Sequence, residues 1–208
     1  MSTPLRVLLA TANLAKSERL AWLCAGLSIE TVRPAAGEGP QVPEDAASHL
    51  GNAVRKAVAW SAARGGVALA SDGGLVVPAL EGEWSSLTTR RATGAGPETD
   101  EQRAGRLLRH MARLECESRA AHWVESVAIA RDGRLVGAWQ AQGLAGVIAA
   151  SYEPQPGAVD GFWVSGLWAE SDGGRRLWEL DEASHERLGD PWLSLAPPVR
   201  DLLTRMAG

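Results

Sequence analysis

The hydrophobic positions of this 208-residue chain change period repeatedly, and the changes mark its elements. Leu5 to Ala10 is a short, nearly unbroken apolar run, the pattern of a buried strand. From about Lys16 to Leu27 the period lengthens, with Leu20, Leu23 and Leu27 on one stripe, which predicts a helix. Ser28 to Arg33 predicts a short strand, and Pro34 to Pro43 a loop rich in Pro and Gly. A long helix is predicted from about Asp45 to Arg64, with Leu50, Ala53, Val54, Ala57 and Val58 inward. The stretch Val67 to Val77 climbs through Val, Leu and Ala to Asp72, Gly73 and Gly74, then turns apolar again. It predicts a buried strand to Ala70 with Asp72 exposed at its end. The glycines then either let a ligand approach bare backbone or form an Asp-Gly turn between two strands.

The pattern then loosens. Glu81 to Pro97 predicts a polar loop, and Thr99 to about Glu115 a helix with Leu107, Leu108, Met111 and Leu114 inward. Its Arg103, Arg106, Arg109 and Arg113 read as a solvated face. Arg119 to Ala130 and Leu135 to Ala150 are extended runs around Asp132-Gly133, a hairpin signal. Gly143 and Gly146 mark a bulge or bend in the second run. Asp160 to Trp168 is a further glycine-punctuated apolar stretch, and a helix from Pro198 to Met206 closes the chain. Strands alternating with helices predict an α/β fold: a central mixed, twisted sheet with flanking helices, in one domain over 1–208.

Composition narrows this picture little. At 45% hydrophobic and 22% charged the chain is ordinary globular protein. A net charge of −4 gives no pull toward nucleic acid or a membrane surface. No apolar run is long enough to span a bilayer. Cys24 and Cys116 fall in helical patterns and read as buried free thiols, so a cytoplasmic location is expected. The basic residues are more informative: 19 Arg against only Lys16 and Lys56. Lysine differs from arginine where a compact charge on a thin stem must meet a phosphate.

Candidate chemistry sits where strands give way to helices. Thr11, Asn13 and Lys16 leave the first strand and open the first helix, where free backbone N–H groups favour an anion. Asn13 reads equally as a helix cap and Lys16 as a solvated charge. Asn52 and Lys56 lie four apart on the second helix, on one face, aimed into a cleft or into water. Asp72 is the acid for a metal ion or a water.

In this order the motifs resemble the inosine/xanthosine triphosphate pyrophosphatases. That family opens with Thr/Ser-x-Asn-x-x-Lys, matched by Thr11, Asn13 and Lys16. Its helix motif Glu-Asn-Ala-x-x-Lys-Ala falls on Gly51, Asn52, Ala53, Lys56 and Ala57. Its Asp-Asp-Ser-Gly-Leu falls on Ser71, Asp72, Gly73, Gly74 and Leu75, and its Ser-Ala-Arg loop on Thr88, Thr89 and Arg90. Its base loop falls on Gly161 to Gly166, and its closing Ser-His-Arg on Ser184, His185 and Glu186, with Arg187 one place late. Both lysines occupy family lysine positions.

The resemblance implies two lobes around an active-site cleft, a homodimer, and a Mg²⁺-assisted hydrolase. Its substrate would be a purine or modified nucleoside triphosphate, cleaved to the monophosphate and pyrophosphate. Lys16, Lys56 and Asp72 would be catalytic, with Asp72 on the metal. Thr11, Asn13, Asn52, Gly73, Gly74 and Arg90 would surround the phosphates. Phe162 would stack on the base, with Trp163 extending that platform or filling space. Ser184, His185 and Arg187 would border the base, or His185 would be structural. The chain also departs from the pattern. The family's metal-binding Glu is Gly51, its first paired acid is Ser71, its base-loop Asp is Ser165, and Glu186 stands where an Arg is expected. Glu44 or Asp45, just before the body of the second helix, is the substitute acid if the helix start folds back. The departures leave two alternatives: a degenerate nucleotide-binding protein, or an enzyme for another phosphorylated small molecule.

Overall fold

The computed structural model describes residues 3–35, 37–81, 84–87, 99–113, 118–157, 163–171 and 174–208. Strand β1 (Leu5–Leu9) leads into helix α1 (Leu14–Cys24), then β2 (Ile29–Val32), α2 (His49–Arg64) and β3 (Val67–Val76). Helix α3 (Asp100–Arg113), the hairpin β4 (Ala120–Arg131) and β5 (Arg134–Ile148), β6 (Trp168–Ala169), α4 (Glu182–Arg187) and α5 (Pro191–Ala207) follow. The six strands form one mixed sheet in the order β2-β1-β3-β4-β5-β6. β1 runs parallel to β2 and β3, with Val7 opposite Val67, and β5 is antiparallel to β6. The α/β architecture with a mixed sheet is therefore the one expected.

Local chemistry explains the element ends. Asn13 caps α1 by accepting the Lys16 N–H at 3.1 Å. Thr99 and Gln102 form a reciprocal capping pair at the start of α3. The β4–β5 turn places Asp132 at φ 49° and Gly133 at φ 79°, the left-handed pair that matches strand twist. Between Gly143 and Gly146 the backbone irregularity falls on Leu144, at φ 48°, whose N–H bonds the Leu188 carbonyl at 2.8 Å. Among the described residues no helix is long and apolar enough to cross a membrane.

Three expectations are corrected. α2 starts at His49, not Asp45, because Ser48 caps it through the Gly51 N–H. α5 starts at Pro191, seven residues before Pro198, and carries Pro197 and Pro198 inside it. Its stripe of Trp192, Leu195, Val199 and Leu203 is buried, and burial outweighs the prolines' lost hydrogen bonds. β3 does not stop at Ala70 or turn at the glycines. It continues to Val76 through Asp72, Gly73 and Gly74, so Asp72 lies inside a strand and is buried.

The chain divides into two compact units. The first comprises Met1–Gly73, Glu125–Ala141 and Pro191–Gly208. One core there packs Val7, Leu9, Val67, Leu69, Val127 and Ile129 against Leu20 and Leu23 of α1 and the α5 stripe. A second, made of small residues, packs Ala68, Ala70, Ala128 and Ala130 with Ala53, Ala57 and Trp60 of α2. Strand alternation thus divides the sheet residues into an α1/α5 face and an α2 face. The second unit, Gly74–Val124 and Gln142–Asp190, is built on Leu107, Met111, Trp123, Ile148, Leu167 and Trp168. The Trp168 indole N–H donates to the Leu144 carbonyl at 2.9 Å.

Candidate active site

Asp72 is where the first unit concentrates its charge. Lys56 Nζ lies 3.1 Å and Lys16 Nζ 3.6 Å from Oδ1. Asn52 Nδ2 donates to Oδ2 at 3.2 Å, and His49 Nδ1 lies 2.8 Å from the same oxygen. The carboxylate is thus surrounded from two helices. His49, Asn52 and Lys56 recur at three- and four-residue intervals along one face of α2. Lys16 arrives from the first turn of α1. Burial acts to raise the Asp72 pKa, but the His49 hydrogen bond and the charges of Lys16 and Lys56 win, holding it well below the usual carboxylate range. Asp72 is therefore a permanent anion at neutral pH.

The segment before α2 does fold back. The Ala46 N–H donates to Asn52 Oδ1 at 3.0 Å, and Lys56 Nζ reaches Glu44 Oε1 at 3.3 Å as well as Asp72. Glu44 and Asp72 thereby share one ammonium group. Asp45 instead pairs with Arg55 on the exposed side. The same fold-back closes position 51: a Cβ on Gly51 would lie 2.8 Å from the Ala46 Cβ. No acid can stand there without displacing this segment. Among the described residues no group of three or more His, Cys, Asp or Glu is arranged to hold a metal ion. One or two carboxylates suffice for Mg²⁺, which keeps waters and takes phosphate oxygens.

Thr11 and Asn13 lie in the β1–α1 turn, where Thr11 Oγ1 accepts the Asn13 N–H at 3.1 Å. Asn13 is the helix cap, one of the two readings open to it. Gly73 and Gly74 are half-buried residues of β3. Arg90 and Phe162 lie outside the described residues.

The remaining candidates belong to the second unit. Trp163 is buried in that unit's core, its ring edge-on to Trp84 with centroids 6.2 Å apart. Ser184 is buried, and its hydroxyl accepts from Arg175 Nη2 at 2.7 Å. His185 Nδ1 lies 2.8 Å from Oδ2 of the buried Asp190. Arg187, largely exposed, donates to Glu170 Oε1 at 2.6 Å, and Arg175 bonds both Glu170 oxygens.

Sequence reasoning missed two residues of the first unit. His49 sits one turn before Asn52 on the α2 stripe that already carried Asn52 and Lys56, so the stripe itself was the signal. Glu125 is an acid inside the apolar run of β4 and is 6% exposed. A buried carboxyl in such a run is rare enough to be a signal of its own. Burial pushes its pKa up, Lys16 opposes this most, and Asp72, His49 and Lys56 also act on it.

Comparison with known proteins follows the same lines. Residues 7–157 match the profile of the Ham1 family. The chain is 32% identical to a dITP/XTP pyrophosphatase of Anaeromyxobacter sp. (strain Fw109-5), over 97% of each chain. A HAM1 protein from Coxiella burnetii superposes with a TM-score of 0.75 at 22% identity, over 97% of this chain and 98% of the other, which shows a common fold. A nucleoside-triphosphatase, dITP/XTP pyrophosphatase, from Mycobacterium abscessus superposes with a TM-score of 0.65 at 25% identity, over 97% and 99%.

Proposed function

We propose that this chain, which belongs to the Ham1 family, hydrolyses purine nucleoside triphosphates of the dITP/XTP kind to the monophosphate and pyrophosphate. The observation that carries the reading is the convergence of the chain's two lysines on one buried, ionised aspartate. A triphosphate brings about four negative charges, so its site must offer cations and N–H donors. Lys16, Lys56 and the amide groups opening α1 supply them. Thr11, Asn13, Asn52, Gly73, Gly74 and Arg90 complete the phosphate surroundings. Phe162, Ser184, His185 and Arg187 are assigned to the base, while Trp163 takes the space-filling role in the second unit's core.

The donor set fits a hard cation: Asp72 is held ionised, and Glu44 stands beside it across Lys56. Asp72 and Glu44 would hold a Mg²⁺ there, which would supply neutralisation of phosphate charge and Lewis-acid activation of the α-phosphorus. In the reaction a water oxygen bonds the α-phosphorus while the bond from that phosphorus to the bridging oxygen breaks. The electron pair leaves on pyrophosphate, Asp72 orients the water, and the proton the water loses passes to solvent. Lys16 and Lys56 meet the charge that grows on the leaving oxygens, the moment at which fixed cations contribute most. Lys56 leaves its contact with Asp72 in part to do so, and Glu44 and Asn52 keep the surroundings paired. A homodimer in the cytoplasm belongs to the same proposal, and light scattering on the purified protein tests the dimer.

The deciding experiment measures pyrophosphate released from dITP, XTP and the four common ribonucleotides with Mg²⁺. Release from dITP or XTP well above the common nucleotides, abolished by Asp72→Asn, is the expected result. Nucleotide binding without pyrophosphate release by the parent protein overturns the proposal.

A further inference from the structure

At the end of the second unit a turn brings an imidazole onto a buried carboxylate. His185 Nδ1 lies 2.8 Å from Oδ2 of Asp190, which is 2% exposed. The backbone closes the same turn, the Asp190 N–H donating to the His185 carbonyl at 2.9 Å. The Leu188 carbonyl between them accepts the Leu144 N–H at 2.8 Å and ties the turn to β5. The ring therefore has a set position and a set orientation.

The pairing also sets where the imidazole proton sits. A carboxylate offers lone pairs only, so Nδ1 of the neutral ring carries the proton and Nε2 keeps a bare lone pair. Among the described residues Nε2 bonds no protein group. The His185 side chain is 20% exposed, against 3% for that of Asp190. The result is a hydrogen-bond acceptor open to a ligand, with its acid buried behind it.

Such an acceptor reads one difference between purines. Hypoxanthine and xanthine carry a hydrogen on N1, beside the 6-oxo group, whereas adenine has a lone pair on N1. A bare Nε2 facing N1 accepts from the first two and is repelled by the third. We propose that Asp190 is a positioning residue for base selection: it holds His185 in the Nδ1–H tautomer, so that Nε2 accepts the N1–H of a 6-oxopurine and turns adenine nucleotides away. This rests on the hydrolase reading above for the place of His185 at the base. A site built to hydrogen-bond its substrate rejects an analogue that cannot complete the bond far more strongly than a site that relies on shape.

Asp190→Asn tests this with the fold kept. Asp190 directly precedes Pro191, the first residue of α5, so it stands at a helix cap position, where Asn serves as well as Asp. The single oxygen of Asn goes to the helix N–H groups, its NH2 faces Nδ1, and the ring proton is forced to Nε2. The ratio of kcat/KM for dITP over dATP is expected to fall at least tenfold while the thermal melt stays cooperative. A purely structural Asp190 would lower both nucleotides alike, so an unchanged ratio overturns the proposal. The tautomer is read separately by nitrogen nuclear magnetic resonance of the histidine rings, on the alkaline side of their titration, with His185→Gln identifying the resonances. A parent ring protonated at Nδ1 and reversed in Asp190→Asn is expected, and a parent ring protonated at Nε2 overturns the proposal. Should Asp190→Asn fail to fold, the parent alone decides: dIMP is expected to shift the Nε2 resonance of His185 and dAMP to leave it in place, and equal shifts or none overturn the assignment. A shift selective for dIMP in a protein that releases no pyrophosphate would sink the hydrolase reading alone. Pyrophosphate release selective for dITP, with a ratio indifferent to Asp190→Asn, would sink this proposal alone.

Discussion

The ammonium of Lys56 and the carboxylate of Asp72, 16 residues apart in the chain, stand 3.1 Å from one another in the first unit. The lysine's side chain is largely buried, and Glu44 holds it from the other side. An ammonium so enclosed is a point charge in a fixed place. Arginine cannot mimic it, because the guanidinium is broader and its donors are forked. Lys56→Arg is expected to lower pyrophosphate release from dITP by about tenfold or more, and Lys56→Met by about a hundredfold or more. Steady-state kinetics on both variants check this.

His49 touches Asp72 at 2.8 Å with both side chains buried. Removing one partner of a buried hydrogen bond leaves the other short of it, at a cost of about 1–3 kcal/mol and more where that other is a charged carboxylate. Asn52, Lys16 and Lys56 remain on Asp72 and reduce that cost. His49→Ala is expected to destabilise the fold by about 2–3 kcal/mol. Urea unfolding at pH 7 measures it, and a change under about half a kcal/mol would mean that the imidazole adds nothing.

Acid should unfold the protein partly through Asp72. Its pKa is lower folded than unfolded, so the stabilisation is complete above the unfolded value of about 4 and fades as the pH falls further. Between pH 5 and pH 2.5 the parent is expected to lose melting temperature more steeply than Asp72→Asn does. Parallel melting curves across that range would contradict it.

Glu125 has the opposite sign. Its pKa is higher folded than unfolded, so stability from burying the neutral acid is complete below about pH 4 and is lost as the pH rises through the folded value. Without added metal, Glu125→Gln is expected to melt above the parent at pH 8, with the gap closing toward pH 4. Calorimetry at the two pH values decides the matter.

The hairpin turn carries a separate prediction. Gly133 sits at φ 79°, and a Cβ there would lie 3.2 Å from that of Ala62. Its N–H is held by Ser61 Oγ at 3.0 Å. Gly133→Ala adds left-handed strain to a tight contact and is expected to cost about 1–2 kcal/mol, with pyrophosphate release unchanged in the folded protein. Denaturant melts and the activity assay together check both halves.

The chain by itself determined the order and type of its longer elements, though not of β6 or α4, because the period of Leu5–Ala10, of the α1 stripe and of the Asp132-Gly133 hairpin is a local matter of side-chain direction and backbone angle. It also marked Lys16, Lys56 and Asp72 as a set, through the scarcity of lysine and the resemblance of three spaced motifs. Only the tertiary structure decided that Asp72 lies within an unbroken strand, that Glu44 folds back to Lys56, and that His49 reaches the same carboxylate. Only it decided that the proline-bearing α5 starts at Pro191. Each of those outcomes depends on burial and on partners far along the chain. The energy of a buried charge is set by what surrounds it in space, and no window of sequence contains that.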